Sequence, residues 1–184
     1  MASFQDRVVG AIRLQAATFE EVEHDTTAMS QAGLVVLGAA VAGAIGALQY
    51  GFFGVGGLVL GIVFALIGWA IGAAVIWIVG TRLLPGKNTQ ADYQEVLRTV
   101  GFAQAPGLLA VLGIIPYLGS LIRVVVSIWT LVALVIAVRQ ALDYDDTIKA
   151  VIVCVIAWAI MLAATLMVGV LGLGAAALGG SMMP

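Results

Sequence analysis

The sequence predicts an all-α integral membrane protein: a bundle of five transmembrane helices, with an N-terminal amphipathic helix and a short interfacial helix before the third span. Composition is the first observation behind this class. The 184 residues are 62% hydrophobic and 10% charged, whereas soluble domains are about 45–50% apolar and about 25% charged. The second observation is that the apolar residues fall in five runs close to the about 20 residues that cross a bilayer. Lipid is therefore the expected solvent for most of the chain.

Residues 1–31 form a cytoplasmic segment before the spans. Phe4, Val8, Ile12, Ala16 and Phe19 recur three or four residues apart, which predicts one amphipathic helix with a single apolar face. The early charges and the lack of an apolar stretch argue against a cleavable signal. Such a helix lies on the membrane surface or packs under the bundle. A covering role and active membrane sensing fit the pattern equally well.

Residues 32–173 form the membrane domain, and residues 174–184 are expected to be an uncharged flexible tail. Residues 85–88 and 143–146 are polar breaks between spans, and residues 92–100 predict the interfacial helix. The third span is the short one, because Pro106 interrupts it and Pro116 ends it. It crosses only if the preceding helix adds a turn. The spans are expected at 33–50, 57–84, 102–116, 119–139 and 147–173.

The charged residues favour five crossings. With an internal N-terminus, seven of the eight Lys and Arg residues fall inside and only Arg123 falls outside, as the positive-inside rule expects. The rival count treats residues 102–118 as re-entrant, which moves Arg139 and Lys149 outside and leaves six cations in. No Asp or Glu falls in any predicted span. This absence weakens proton-coupled transport, which normally needs titratable groups in the membrane.

Two patterns within the spans are candidate functional features. A polar stripe on the fourth span consists of Ser120, Arg123, Ser127 and Thr130. It is either a substrate contact or interhelical hydrogen bonding with an arginine that reaches the headgroups. The second span carries glycines in pairs spaced by four, a spacing that lets helices approach closely, within the chain or between chains. These glycines are Gly57, Gly61, Gly68 and Gly72.

No motif for catalysis, a cofactor or a metal stands out. Glu21 and His24 form one Glu-x-x-His unit, but di-iron bundles need two such units and two more carboxylates, so a solvated acidic face is the better interpretation. His24 is the only histidine, and it lies far from any serine in the spans. The net charge of −2 leaves no basic surface for nucleic acid. We therefore expect no enzyme, no cofactor and no metal.

The central residues carry a resemblance to a known family. The run LRTVGFAQAPG at 97–107, followed by GIIP at 113–116 and by AVRQALDY at 137–144, resembles the signature of the Ypt-interacting-protein (YIP) domain family, most closely its short bacterial branch. The resemblance covers residues 5–172 and implies five spans with a cytoplasmic N-terminus. Eukaryotic members bind Rab-type GTPases and each other. Their Asp-Leu-Tyr-Gly-Pro motif and long N-terminal region are missing here, so GTPase binding is not expected.

These observations lead to a non-enzymatic scaffold or accessory subunit that acts through helix–helix and membrane-surface contacts. The alternative is a small transporter or channel that uses the polar stripe, and a weaker third option is membrane shaping by the N-terminal helix. The expected partners are the lipid bilayer and other membrane proteins or further copies of the chain. The expected location is the bacterial inner membrane, with the C-terminus on the side opposite the cytoplasm.

Overall fold

The computed structural model describes residues 2–48, 54–87 and 89–181, and in these ranges it contains helices and no strand. A π-helical segment, Val79–Leu83, continues α4, and a 3-10 helix, Ala105–Ile114, follows α5. The predicted positions 49, 50, 88 and 182–184 lie outside the described residues. The α-helices are α1 (Phe4–Ile12), α2 (Ala16–His24), α3 (Ala28–Gly46), α4 (Gly54–Ile78), α5 (Tyr93–Phe102), α6 (Gly119–Ala141) and α7 (Thr147–Ser181).

Five helical segments of the described chain are long and apolar enough to cross a membrane, which confirms the predicted fold class. The fourth differs from its predicted span by only two residues, at its C-terminal end. The last helix continues to Ser181, over residues that the sequence analysis assigns to the tail. The candidate spans are Ala28–Gly46, Gly56–Leu83, Tyr93–Ile114, Gly119–Ala141 and Thr147–Val168.

The N-terminal segment is two helices and not the single helix that the periodicity predicts. Ser3 and Asp6 form a capping box that begins α1. The chain then turns at Leu14, which adopts a left-handed conformation with φ 59°, and the Gln15 amide donates to the Gly10 carbonyl at 3.0 Å. The five predicted residues lie on both sides of this turn: Phe19 is buried, Val8 and Ile12 are half-buried, and Phe4 and Ala16 are exposed. The repeat therefore continues through a break in the helix. We call α1 and α2 together the N-terminal hairpin.

The N-terminal hairpin packs its apolar face against the bundle. Ala11, Phe19 and Val22 are fully buried. Their cluster includes Phe102 at the end of α5 and also residues of α3 and α6, namely Ala28, Ala32, Val35, Ala133 and Ala137. Burial of a Phe or Val side chain stabilises a contact by about 1.5–3 kcal/mol. Phe19, Val8 and Ile12 of the predicted apolar stripe therefore pack inside the protein, whereas Phe4 and Ala16 stay exposed.

The third candidate span is long enough because α5 adds ten residues before the 3-10 helix. Its ten α-helical residues rise about 15 Å at ~1.5 Å each, and ten 3-10 residues add about 20 Å at ~2.0 Å each. The sum exceeds the about 30 Å of a hydrocarbon core. This span begins at Tyr93 and so includes Glu95 and Arg98. The predicted third span, residues 102–116, contains neither.

Close contacts pair the third candidate span with α3 along its length. Gly101 lies against Ala32, Gly107 against Ala39, and Gly113 against Gly46. Each advance of seven residues along α3 is matched by six residues of the third span, as the greater rise of a 3-10 helix requires. A Cβ atom at Gly46 would collide with the Ala110 carbonyl. Residues 101–113 therefore run the same distance, in the same direction, as residues 32–46.

The loops after α4 and α6 meet at the same end of the bundle as the N-terminal hairpin. The Thr89 hydroxyl donates to the Leu142 carbonyl at 2.7 Å, and the Lys149 ammonium donates to the Pro85 carbonyl at 3.2 Å. The buried Tyr144 hydroxyl lies 2.7 Å from the Leu84 carbonyl. Gln140, at the end of α6, donates to Glu20 of α2 at 2.9 Å. We call this the hairpin end of the bundle.

Candidate functional site

A groove of about 760 Å³ opens among α3, α4, the 3-10 helix, α6 and α7. Most of its lining is apolar and small, and none of the described residues that line it is charged. Gly68 and Gly72 of α4 form part of one wall. Such a cavity between helices of a bundle is a usual place for a ligand or a partner to bind.

Three uncharged polar side chains line this groove: Gln104 from the third span and Ser127 and Thr130 from α6. None of them forms a hydrogen bond with a described residue. Gln104 and Thr130 are half-buried and Ser127 is exposed. Because unsatisfied polar groups are costly in hydrocarbon, these side chains can bond to water or to an occupant of the groove.

The structure divides the predicted polar stripe into two parts. Ser127 and Thr130 belong to the groove, whereas neither Ser120 nor Arg123 is among its lining residues. Ser120 is exposed and Arg123 is half-buried, and both lie nearer the end of α6 that points away from the hairpin end. The sequence analysis missed Gln104, which the structure brings to the same groove from another helix.

The predicted glycines of α4 make no close contact within the chain at three of their four positions. A Cβ atom added at Gly61, Gly68 or Gly72 would meet nothing within 4 Å among the described residues, and Gly57 is half-buried. Other glycines provide the close approaches, chiefly Gly46, Gly101 and Gly113. Among the described residues, nothing packs closely on Gly68 or Gly72.

A second cluster of polar residues fixes the N-terminal hairpin to the bundle. The guanidinium of Arg7 donates to Glu21 at 2.9 Å, to Asp25 at 2.6 Å and to Gln31 of α3 at 3.1 Å. Arg7 is 2% exposed, so these partners offset its desolvation. Hydrogen bonds from Thr27 and from Arg7 lower the pKa of Asp25 to about 2.

Arg98 of α5 binds the last turn of α2 through the backbone. Its guanidinium is 3% exposed and donates to the carbonyls of Val22, at 3.3 Å, and Glu23. These carbonyls have no partner inside the helix because α2 ends at His24, and a cation is favourable at a helix C-terminus. Among the described residues, the salt bridges within 4.0 Å are those of Arg7, so Arg98 acts as a backbone cap. We call Arg7, Glu21, Glu23, Asp25 and Arg98 the hairpin joint.

The Glu23 carboxyl group is buried in the hairpin joint. Its residue is 5% exposed, and Oε2 has no hydrogen-bond partner among the described residues. Burial, together with the charges of Asp143, Glu20 and Glu95, raises the pKa of Glu23 to about 8. The interpretation of residues 21–24 as a solvated acidic face is therefore wrong for Glu23, because α5 and the loop after α6 cover it. The sequence offers no signal for this burial.

Hydrogen bonds from three indole groups tie α4 and α6 to the backbone of neighbouring segments. Trp69 donates to the Leu97 carbonyl at 2.9 Å, and Trp77 donates to the Ala91 carbonyl at 3.0 Å. Trp129 of α6 donates to the Ile12 carbonyl at 2.8 Å. This last contact lies about 18 Å along α6 from Ala141, at ~1.5 Å per residue. The N-terminal hairpin is therefore seated well into the bundle.

Among the described residues, no three His, Cys, Asp or Glu side chains are grouped to hold a metal ion.

The family model of the Yip1 domain matches residues 9–177. This range includes all five candidate spans, the groove and most of the hairpin joint. Comparison with curated proteins and with solved structures finds no match.

Proposed function

The chain belongs to the Yip1 domain family of membrane proteins, and from this premise we propose that it is a non-enzymatic scaffold whose groove receives a transmembrane helix of another protein. The observation that carries the proposal is the placement of Gly68 and Gly72. Both line the groove, and neither has a neighbour from the described part of the chain within 4 Å of an added Cβ atom. Glycines four residues apart let a second helix approach closely in lipid.

The polar groups of the groove suit a helix as the occupant. Van der Waals packing and interhelical hydrogen bonds drive association of helices in a membrane. Gln104, Ser127 and Thr130 offer hydrogen bonds that no described residue takes up. A Ser, Thr or Asn side chain on the partner helix would satisfy them. The glycine wall and the polar groups together define a contact that is specific and does not need a charge.

Photo-crosslinking tests the proposal. A photoreactive residue replaces Ser127, which lies in the groove, or Ile71, whose side chain is 49% exposed on α4 outside the groove lining. We expect a discrete protein adduct only from position 127, and we expect Gly72→Leu to remove it by filling the groove. Gly43→Leu is the matched control, because Gly43 also has open space around it and lies outside the groove. An adduct that survives Gly72→Leu would contradict the proposal.

Transport of a small polar solute is the second candidate, and the convergence of Gln104, Ser127 and Thr130 favours it. It predicts that vesicles containing the protein swell in a glycerol gradient. Thr130→Val should then abolish the swelling, whereas Ser120→Ala, outside the groove, should not. Proton or ion coupling is not part of this candidate, because no charged side chain lines the groove among the described residues.

We place the protein in a bacterial inner membrane, with the hairpin end of the bundle on the cytoplasmic side and five crossings. The charge distribution supports this arrangement, since seven of eight cations then lie inside. The close fit between α3 and the third candidate span supports it as well, because residues 101–113 advance together with residues 32–46. A re-entrant third segment would have to turn back before it reached Gly46.

A further inference from the structure

The Glu23 carboxyl group lies between elements that come from different parts of the chain. Glu23 belongs to the last turn of α2, and Arg98 of α5 binds the backbone carbonyls of this turn. The guanidinium does not neutralise the carboxylate, since the salt bridges found among the described residues are those of Arg7. Burial without a hydrogen bond is costly for a polar group and much more costly for a charge. This site therefore favours the protonated acid.

The charges around Glu23 act in the same direction. After burial itself, Asp143 from the loop following α6, Glu20 on α2 and Glu95 on α5 raise its pKa, while His24 opposes them. Two arginines of the packed elements make their hydrogen bonds elsewhere. Arg7 of α1 holds Glu21 and Asp25, and Arg139 of α6 donates to the carbonyls of Tyr144 and Asp145. An ionised Glu23 would thus face three carboxylates.

We propose that the proton on Glu23 is a latch that holds the N-terminal hairpin against the bundle, so that loss of this proton releases the hairpin. Release exposes the face formed by Ala11, Phe19 and Val22, which is fully buried in the docked state. That face is apolar and adjoins helices that lie in lipid, so the freed hairpin binds the membrane surface. The latch is independent of what occupies the groove.

The pH range of the latch follows from the two pKa values of Glu23. The pKa is about 8 when the hairpin is docked, against an ordinary value of 4.5. The docked state therefore holds the proton more tightly than the released state. Docking is strongest at or below about pH 4.5, weakens as the pH rises to about 8, and is constant above that. Within the window each pH unit changes the docking equilibrium by up to about tenfold.

Cysteine labelling measures release directly. Cys154→Ala removes the native thiol, and Ala11→Cys places a small reporter at a position that is fully buried in the docked state. Ala17→Cys, at an exposed position of α2, corrects for the ionisation of thiols. We expect the ratio of labelling rates, position 11 over position 17, to rise by up to about 50-fold between pH 6 and pH 8, as the two pKa values of Glu23 require. With Glu23→Gln the ratio should stay flat, because the amide has no proton to lose.

Equal pH dependence in the wild-type and Glu23→Gln proteins would overturn the latch. A second variant keeps the test open if Glu23→Gln does not fold. Asp143→Asn removes a charge that raises the pKa of Glu23, so the rise in the labelling ratio should end at a lower pH. A rise that ends at the same pH in wild type and Asp143→Asn would equally reject the proposal.

Discussion

Replacing Arg98 with Met tests whether the cap on α2 fixes the N-terminal hairpin. Methionine keeps most of the aliphatic length but removes both donors to the Val22 and Glu23 carbonyls. Hydrogen bonds to charged groups contribute about 1.5–3 kcal/mol each, so two of them give a ceiling of about 3–6 kcal/mol. The substitution also removes the cost of burying the charged guanidinium, which offsets part of this loss. We expect docking to weaken by about 2–4 kcal/mol.

Amide hydrogen exchange provides the assay. Because about 1.4 kcal/mol is a factor of ten, the exchange protection of α2 should fall by roughly 30- to 1,000-fold. The protection of α7 should not change, since this helix lies away from the joint. Arg82→Met is the matched control, because Arg82 is exposed at the end of α4. Equal effects of the two substitutions, or unchanged protection in α2, would refute the assignment of Arg98 as a cap.

Two further predictions concern packing and acid stability. Gly46→Leu places a side chain against the Ala110 carbonyl and should lower the free energy of unfolding by more than about 3 kcal/mol, measured by thermal unfolding in detergent. Gly43→Leu should be nearly neutral, and equal losses would contradict the close contact. The pKa of Asp25 is lowered to about 2. Its ion pair with Arg7 should therefore stabilise the fold fully until the pH falls below the ordinary Asp pKa of 3.8. Exchange protection in α1 should then decline between about pH 4 and pH 2. Asp25→Asn should make this decline smaller, and the part that remains comes from Glu21, which also binds Arg7.

Most of the membrane domain could be predicted because lipid imposes a simple rule. A chain that crosses hydrocarbon must satisfy its backbone internally, so long apolar runs become helices wherever they occur. The third span looked short because Pro106 interrupts it and Pro116 ends it. The preceding helix, α5, supplies ten further residues. The 3-10 helix at Ala105–Ile114 lengthens it, and no residue pattern in the sequence distinguishes a 3-10 helix from an α-helix of equal hydropathy.

The N-terminal hairpin and its joint show what periodicity cannot supply. Phe4 to Phe19 keep a helical repeat although the chain turns at Leu14, and only part of that repeat is buried. Arg98 and Glu23 are distant in sequence and meet only through the fold. The glycines of α4 were found by their spacing, but spacing does not say which partner they contact. In this chain three of them face open space among the described residues.

The most direct test of the account is the location of two loops in intact cells. Tyr117, fully exposed between the third and fourth candidate spans, and Asp145, in the loop before α7, are replaced singly by Cys in the Cys154→Ala protein. Five crossings predict that a membrane-impermeant thiol reagent labels position 117 in intact cells and labels position 145 only after permeabilisation. Labelling of position 145 from outside, with position 117 protected, would establish a re-entrant third segment and contradict the account.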